Sequence, residues 1–328
     1  MPATSLHDLS GRHIFLTGGT GSVGRTLLDY LNRCRTSGGE FHVTVLTRDA
    51  SRFSAHYPAQ AKHTWLSLAE GSLETLVTLP PGVTDVIHAA ADTHIGTSHV
   101  PWVDQIVGGT RSLLTASAEA KVDRFLLISS GAIYGPQPAS VPRLREDYLG
   151  APNPLLLGST YGQAKRLAEH LCAIFHAEQG VPAVIARLFA FGSTHIPGDG
   201  RYALGSFVRD ALSNDHAPIR VSGDGAAVRS YLDGHDMSHA LITALRSGER
   251  GQAYNIGSDE PVTIAALARE VRDRLSPDRE IVVLGAAGDG QRSFYVPDTT
   301  KITALGAAGH SKLGAVIDDV AGRIAHRA

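Results

Sequence analysis

Short apolar runs alternate with longer amphipathic stretches along the first part of the chain. The apolar runs are rich in β-branched residues and lie at His13–Thr17, His42–Leu46, Asp85–His88, Arg124–Ile128 and Ala183–Leu188. Such runs are typical of strands buried on both faces of a sheet, and helical patterns lie between most of them. The alternation therefore predicts an α/β fold with a doubly wound parallel sheet of the Rossmann type.

The clearest predicted helix follows Tyr161. Its apolar residues share one face at 3.6-residue spacing, namely Ala164, Leu167, Ala168, Leu171, Ile174 and Phe175. Gly180 follows the last of them and is expected to end the helix.

The pattern changes after Leu188, where irregular stretches with Gly and Pro interrupt shorter helices. This change predicts a second, smaller C-terminal lobe. We expect residues 1–188 and 229–257 to form the Rossmann domain, and residues 189–228 and 258–328 to form the lobe.

Composition excludes several classes of protein. The 328 residues carry a formal net charge of -2 without a basic stripe, which argues against a nucleic-acid partner. The N-terminus lacks the apolar core of a signal peptide, and no apolar run is long enough to span a bilayer. Because the chain has only two cysteines, Cys34 and Cys172, we expect no disulfide framework. We therefore expect a cytoplasmic location. The sixteen histidines show no metal-ligand spacing, so we expect no metal site.

A glycine-rich stretch, IFLTGGTGSVGRTLLDYL, places Gly18, Gly21 and Gly24 between a predicted strand and a predicted helix. Glycines at this junction allow a tight turn and a close approach of a pyrophosphate to the helix N-terminus. The stretch therefore predicts a dinucleotide site, with a purely structural glycine turn as the alternative.

The stretch STYGQAK places Tyr161 and Lys165 four residues apart, on one face of a helix. A free phenol has a pKa near 10, and a neighbouring ammonium favours the phenolate and lowers that pKa. The pair is therefore a candidate acid and its tuning cation, with a chance surface pair as the alternative.

Together with the upstream run LLISSGAIYG, the two motifs resemble the short-chain dehydrogenase/reductase superfamily. More narrowly, the chain resembles the extended branch that acts on nucleotide-activated sugars. Further matches to this branch are His88–Ala91, Gly223–Gly225 with Arg229 and Asp236, Tyr254–Gly257, and Arg292 with Asp298, Lys301, Leu305 and Gly306.

The resemblance implies a role for each matching residue. The implied catalytic residues are Tyr161 as general acid/base, Lys165, which also holds the ribose, and Ser130, which hydrogen-bonds the sugar oxygen. The implied cofactor-binding residues are Gly18, Thr20, Gly21, Ser22, Val23, Gly24, Arg48, Ser72, Leu73, Ala89, Ala90, Ala91, Tyr161 and Lys165. The implied substrate-binding residues are Ser130, Arg229 and Arg292. The family also implies a homodimer formed through the helices Val103–Ala118 and Gly162–Glu178.

Two positions narrow the reaction. Dehydratases of the branch carry an Asp-Glu pair after the Ser/Thr, whereas this chain has Gly131 and Ala132, which cannot transfer protons. Dehydration is therefore disfavoured. Asp92 or His94 could replace the pair, although a solvated loop is the expected interpretation of both.

Cofactor choice depends on the end of the second strand. NAD sites carry an acid there for the ribose 2′-hydroxyl, whereas this chain has Thr47 and Arg48. Because a guanidinium suits a 2′-phosphate, NADP(H) is favoured, and NAD(H) stays open because Asp49 follows.

Three departures predict an unusual substrate pocket. The family's Asn is absent from the NxxGT stretch, here Ile106–Thr110, and from the strand that ends in Arg187–Phe191, and Ser72 replaces an adenine-contacting acid. Contacts to a sugar diphosphate then depend on Arg229 and Arg292, two cations suited to a diphosphate. An ordinary salt-bridged surface arginine is the alternative for each, and for either one alone it is the expected interpretation.

The sequence thus predicts a two-lobed enzyme whose C-terminal lobe binds a nucleotide-diphosphate sugar. The predicted reaction is NADP(H)-dependent reduction at C4 of a 4-keto-6-deoxy sugar. The alternatives are an NAD-retaining 4-epimerase and a non-catalytic dinucleotide-binding regulator.

Overall fold

A computed structural model of the chain describes residues 9–91, 98–197, 202–286, 293–309 and 311–325. The strands in these ranges are β1 (His13–Thr17), β2 (His42–Thr47), β3 (Leu66–Glu70), β4 (Asp85–His88), β5 (Arg124–Ser130), β6 (Ala183–Leu188), β7 (Phe191–Gly192), β8 (Ile219–Val221), β9 (Val228–Arg229), β10 (Leu232–Asp233), β11 (Ala253–Ile256), β12 (Val262–Thr263), β13 (Ile281–Val283) and β14 (Phe294–Tyr295). The helices are α1 (Ser22–Thr36), α2 (Ala50–His56), α3 (Pro58–Ala61), α4 (His99–Val103), α5 (Gly109–Ala120), α6 (Thr160–Gln179), α7 (Ala203–Leu212), α8 (Gly234–Ser247), α9 (Ile264–Leu275), α10 (Thr300–Thr303) and α11 (Leu313–Ala325). A π-helical turn at Asp104–Gly108 precedes α5, and 3₁₀ turns lie at Gly131–Tyr134 and Leu157–Ser159.

The main sheet has seven parallel strands in the order β11-β6-β5-β4-β1-β2-β3. The order reverses beside β1, which pairs with β2 on one side and with β4 on the other. This reversal places the carboxyl ends of β1, β4 and β5 side by side, where ligands bind in open α/β sheets. The predicted fold class, a doubly wound parallel sheet, is confirmed.

The edge strand β3 was not among the apolar runs that predicted the sheet. It reads LSLAE, and only Leu66 is buried. Because an edge strand is half exposed, it lacks the continuous apolar run of the central strands.

The buried face of α6 differs from the predicted one. Ala164, Ala168 and Phe175 are buried as expected, but Leu167 is 45% exposed. Lys165, Glu169 and Cys172 are buried in its place, which the apolar period could not indicate. The helix ends as predicted, with Gly180 in the left-handed region at φ 70°.

The chain folds into two compact units. The first comprises residues 1–135, 151–187 and 241–254, and the second comprises residues 136–150, 188–240 and 255–328. The predicted Rossmann domain also included residues 136–150, 188, 229–240 and 255–257, which fall in the second compact unit. Residues 136–150 pack with the second unit because bridges join Gln137 to Phe294 and Leu144 to Pro297. Similarly, β9 pairs with β12 and β14.

Each unit has its own core. In the first, Phe15, Val86, Leu113, Phe125 and Ala168 belong to one buried cluster. In the second, a cluster forms from α7, β8, α9 and α11, with Leu204, Phe207, Ile219, Leu267 and Ile317 among its members. Dinucleotide binding by the first unit and nucleotide-sugar binding by the second stay predictions.

Within the ranges that the structure describes, no helix combines the length and apolar character needed to cross a membrane.

Cys34 and Cys172 are both buried free thiols.

A buried ion pair lies at the amino ends of the central strands. Asp85, with 1% of its side chain exposed, accepts a hydrogen bond from Arg12 Nε at 2.5 Å. Thr84 Oγ1 also donates to the Asp85 carboxylate at 2.6 Å, and Arg12 additionally pairs with the exposed Asp123. Arg12 therefore supplies most of the charge compensation for Asp85.

We predict that Arg12→Met destabilises the first unit by about 3 kcal/mol, because it leaves a buried carboxylate without its main counter-charge. Asp123→Asn, which removes only the exposed partner, should cost less than about 1 kcal/mol. Urea unfolding followed by tryptophan fluorescence measures both, since the only two tryptophans, Trp65 and Trp102, lie in this unit. Equal losses in the two variants would contradict this account of the pair.

Candidate active site

A tight glycine turn joins β1 to α1. Gly18 has φ 73°, and a Cβ on it would lie 2.6 Å from the carbonyl carbon of Ala89. A Cβ on Gly24 would lie 2.2 Å from the carbonyl oxygen of Gly18. The first turn of α1 therefore packs directly on the glycine turn, which only glycine permits at these two positions.

The glycine turn leaves the N-terminus of α1 open to a ligand. Gly21 is the N-cap and offers no side chain to the helix amides, while Thr20 and Gly21 are exposed and Ser22 and Val23 half-buried. The first turn contains no acidic residue. These residues fit a dinucleotide pyrophosphate, because free amides and the helix dipole favour an anion there.

His88 ties the end of β4 to this turn. Its Nδ1 lies 2.8 Å from Thr17 Oγ1, which accepts a hydrogen bond from the Ala90 amide. Its Nε2 lies 3.0 Å from Thr110 Oγ1, which donates to the carbonyl of Ile106. Complete burial, and secondarily the charge of Lys165, lowers the pKa of His88 to about 3. The imidazole is thus a neutral structural link, with Nε2 as its donor.

Two of the predicted cofactor-binding residues, Ala89 and Ala90, also contact Thr17, the partner of His88. Ala89 and Ala90 follow β4 and hydrogen-bond Thr17, while Ala91 packs against the core. Ile106, which occupies the position of the family's Asn, is buried in the π-helical turn.

The residues after β2 are arranged so that Arg48 faces solvent. Asp49 is the N-cap of α2, and its carboxylate accepts a hydrogen bond from the Arg52 amide at 2.7 Å. One carboxylate oxygen of Asp49 is therefore already engaged in capping α2.

The predicted residues after β3 have different surroundings. Ser72 forms a local turn with Thr75, in which each backbone amide donates to the other hydroxyl. Leu73 packs on Gly109 at the start of α5, where a Cβ would lie 2.9 Å from its Cδ1.

Tyr161 lies half-buried in the first turn of α6. Its ring stacks on Trp102, with centroids 5.8 Å apart and planes at 25°, and Lys165 Nζ lies 5.9 Å from its centroid. The structure therefore brings the predicted pair together. Trp102 was not predicted, because its contact with Tyr161 joins distant parts of the sequence.

Lys165 is 2% exposed, and its Nζ donates to the carbonyl of Ile128 at 2.8 Å. Burial lowers the pKa of Lys165 to about 8, and the charge of Glu169 opposes this shift. The ammonium is therefore mostly protonated at pH 7, and it is held at the end of β5.

Ser130, the last residue of β5, begins the 3₁₀ turn Gly131–Tyr134. Its Oγ accepts a hydrogen bond from the Ala132 amide at 3.1 Å. A Cβ on Gly162 would lie 2.7 Å from the carbonyl oxygen of Ala132, so α6 begins directly against this turn. Ser130, Tyr161 and Lys165 thus belong to two segments in close contact.

Of the predicted substrate residues, Ser130 lies in the first unit and Arg229 in the second. In the second unit, Arg229 donates from Nη1 to the carbonyls of Val228 and Ser293, and its guanidinium lies 5.9 Å from the Tyr295 ring centroid. Arg292, Asp92 and His94 lie outside the described residues.

Among the residues that the structure describes, one group in the second unit contains side chains that could bind a metal, namely Asp233, His235 and Asp236. The Asp233 carboxylate accepts a hydrogen bond from the His235 amide, and the Asp236 carboxylate accepts one from Ser311. Both carboxylates thus stabilise the backbone, and we assign no metal to them.

The glycine turn, the open N-terminus of α1 and the Tyr-Lys pair define a dinucleotide-dependent oxidoreductase of the short-chain type. A family model described as "NAD dependent epimerase/dehydratase family" matches residues 14–257. The chain belongs to this family, and it is an enzyme of the extended short-chain dehydrogenase/reductase type.

Characterised relatives support this assignment. The chain is 28% identical over 303 residues to the low-salt glycan biosynthesis protein Agl12 of Haloferax volcanii, a match that covers 89% of this chain and 92% of Agl12. It is 28% identical over 299 residues to UDP-glucuronic acid decarboxylase 2 of Arabidopsis thaliana, covering 90% of this chain and 64% of the decarboxylase.

A solved structure shares the fold. The UDP-glucuronic acid 4-epimerase of Bacillus cereus, in complex with UDP-glucuronic acid and NAD, matches with a TM-score of 0.80 at 22% identity. The match covers 96% of this chain and all of the epimerase chain.

We predict that Gly24→Ala and Gly21→Ala have different effects. Gly24→Ala should destabilise the protein by about 1–3 kcal/mol, because its Cβ meets the Gly18 carbonyl. Gly21→Ala should leave the melting temperature unchanged, because its nearest neighbour would be 3.4 Å away, but should weaken dinucleotide binding.

Thermal unfolding without ligand and titration calorimetry with NADPH and NADH test the two effects. A Gly24→Ala protein as stable as the wild type would show that the turn tolerates a side chain and that the predicted clash is wrong.

Proposed function

We propose that the protein exchanges hydride at C4 of a nucleotide-diphosphate sugar, with Tyr161 as the general acid/base. The observation that carries this proposal is the contact between the α6 segment, which bears Tyr161 and Lys165, and the Ser130 turn. Both segments lie at the edge of the sheet where the open N-terminus of α1 also lies.

The nicotinamide, when bound, supplies or accepts the hydride. Tyr161 transfers the proton at the C4 oxygen, and its phenolate is favoured by the Lys165 ammonium. Ser130 hydrogen-bonds the same oxygen and orients it. Since Lys165 is protonated below a pKa of about 8, its assistance should decline as pH rises through that value.

We further propose that the net reaction is reduction with NADP(H). Gly131 and Ala132 bear no proton-transferring group, so a dehydration at these positions has no acid/base pair. Arg48 is exposed beyond β2, where a guanidinium suits a 2′-phosphate. Asp49 caps α2, which reduces its capacity to accept from a ribose hydroxyl.

The alternative is a 4-epimerase that retains NAD. It is supported by the name of the family and by the solved epimerase complex that contains NAD. A non-catalytic regulator is disfavoured, since the chain keeps the Tyr161–Lys165 pair.

The expected substrate is a nucleotide-diphosphate sugar, and Arg229 is proposed to contact its phosphates. Arg229 is half-buried and is oriented by its bonds to Val228 and Ser293. The homodimer stays a prediction. It is supported by Leu167, an apolar side chain exposed on α6, which is one of the two helices expected at the dimer interface. Light scattering of the purified protein would test it. The cytoplasmic location also stays a prediction.

We predict that Tyr161→Phe lowers kcat by at least about 100-fold, because it removes the proton donor but keeps the ring that stacks on Trp102. Turnover is measured with UDP-glucose, UDP-glucuronic acid and a dTDP-4-keto-6-deoxy sugar, with and without added NADPH. Tyr202→Phe, at an exposed ring in the second unit, is the matched control. A Tyr161→Phe protein with wild-type turnover would defeat the proposal.

We predict that the purified protein releases NADP(H) on denaturation, or takes up NADPH more tightly than NADH. Arg48→Ala should weaken NADPH binding by at least about tenfold and leave NADH binding nearly unchanged, since only NADPH carries the 2′-phosphate. Mass spectrometry of the released molecules and fluorescence titration measure these outcomes. Stoichiometric NAD in the released fraction would favour the epimerase instead.

A further inference from the structure

We propose that the buried Glu169–Arg187 ion pair is a positioning device that joins the Ser130 turn to α6 and keeps Lys165 charged. This inference rests on the proposed function, in which Ser130, Tyr161 and Lys165 act on one substrate. All of the residues concerned lie in the first unit.

Glu169 lies one helical turn beyond Lys165 on α6. Its carboxylate accepts a hydrogen bond from Ser129 Oγ at 2.5 Å, and Ser129 immediately precedes Ser130 on β5. The residue is 8% exposed. The carboxylate thus ties the helix that carries the Tyr-Lys pair to the strand end that carries the serine.

Arg187, on β6, completes the pair. Its Nη2 donates to Glu169 Oε2 at 2.9 Å, and its Nε lies 3.2 Å from both carboxylate oxygens. Its Nη1 donates to the hydroxyl of Tyr134 at 2.8 Å. Tyr134 is fully buried and is the last residue of the 3₁₀ turn that Ser130 begins.

The two side chains therefore hold both ends of the segment Ser129–Tyr134. Glu169 holds its start through Ser129, and Arg187 holds its end through Tyr134. Because a segment fixed at both ends has little freedom between them, the position of Ser130 relative to α6 is set by this pair.

The pair also determines the charge around Lys165. Of the groups that face it, Tyr161, Glu169 and Cys172 lie on α6, His88 lies on β4, and Arg187 and Tyr134 face Glu169. His88 and Cys172 are neutral near pH 7, since burial lowers the pKa of the first and raises that of the second. Glu169 is then the main group that favours the ammonium, against its desolvation.

The pair thus has two opposite charges with opposite effects on Lys165. Removing the carboxylate should lower the pKa of Lys165, while removing the guanidinium should raise it, because the carboxylate is then less compensated. A scaffold role alone predicts neither change.

The test is NMR titration of protein labelled at its five lysines, with Lys165→Arg to assign the Lys165 signal. Glu169→Gln keeps the shape and the acceptor for Ser129, and it should lower the pKa of Lys165 by about 1. Arg187→Met should raise it. Glu178→Gln, at the exposed end of α6, is the matched control and should change nothing.

The same variants are then assayed for turnover against pH. In Glu169→Gln the alkaline limb of kcat should move to lower pH by the same amount as the pKa of Lys165. A uniform loss of kcat at every pH, with the Lys165 signal unmoved in folded protein, overturns the inference.

The double variant Glu169→Gln/Arg187→Met covers the case in which one buried charge alone prevents folding, since removing both partners is often tolerated. Its Lys165 pKa should still fall below the wild-type value. Because the titration requires no substrate, a Lys165 pKa that responds in protein without turnover would support this inference while the proposed function failed.

Discussion

The candidate site depends on how closely the glycine turn after β1 approaches the backbone after β4, at the carboxyl edge of the sheet. A side chain at Gly18 would overlap the backbone of Ala89, and one at Gly24 would overlap that of Gly18. With glycine at both positions, α1 begins immediately beside the ends of β1 and β4. On the other side of β4 lies β5, which carries Ser130 and the Ile128 carbonyl that accepts from Lys165.

Much of the fold could be predicted from the sequence because the central strands are buried on both faces and read as apolar runs. The edge strand β3 could not, since its exposed side breaks the run. The buried face of α6 was predicted only in part. Lys165 and Glu169 are inside it because specific polar partners satisfy them, and such partners leave no periodic trace in the sequence.

In the candidate site, too, some features could be predicted from the sequence and others depend on contacts between distant segments. The glycine turn and the Tyr161–Lys165 pair are local in sequence, so their spacing makes them candidates, and the resemblance to the family implies their chemistry. The stack of Trp102 on Tyr161, the neutral His88 link and the contacts of Arg187 with Glu169 and Tyr134 all join distant segments. Only the folded chain brings them together, and with them the surroundings that set the pKa of Lys165.

The strand order also has a consequence for how the chain folds during synthesis. β6 has β5 on one side and β11 on the other, but β11 (Ala253–Ile256) follows the long second-unit segment 188–240. Until the ribosome has produced residue 256, the open side of β6 is an unpaired, apolar strand edge. A nascent chain of this protein therefore exposes an edge at which strands of other chains can pair, until β11 has been made.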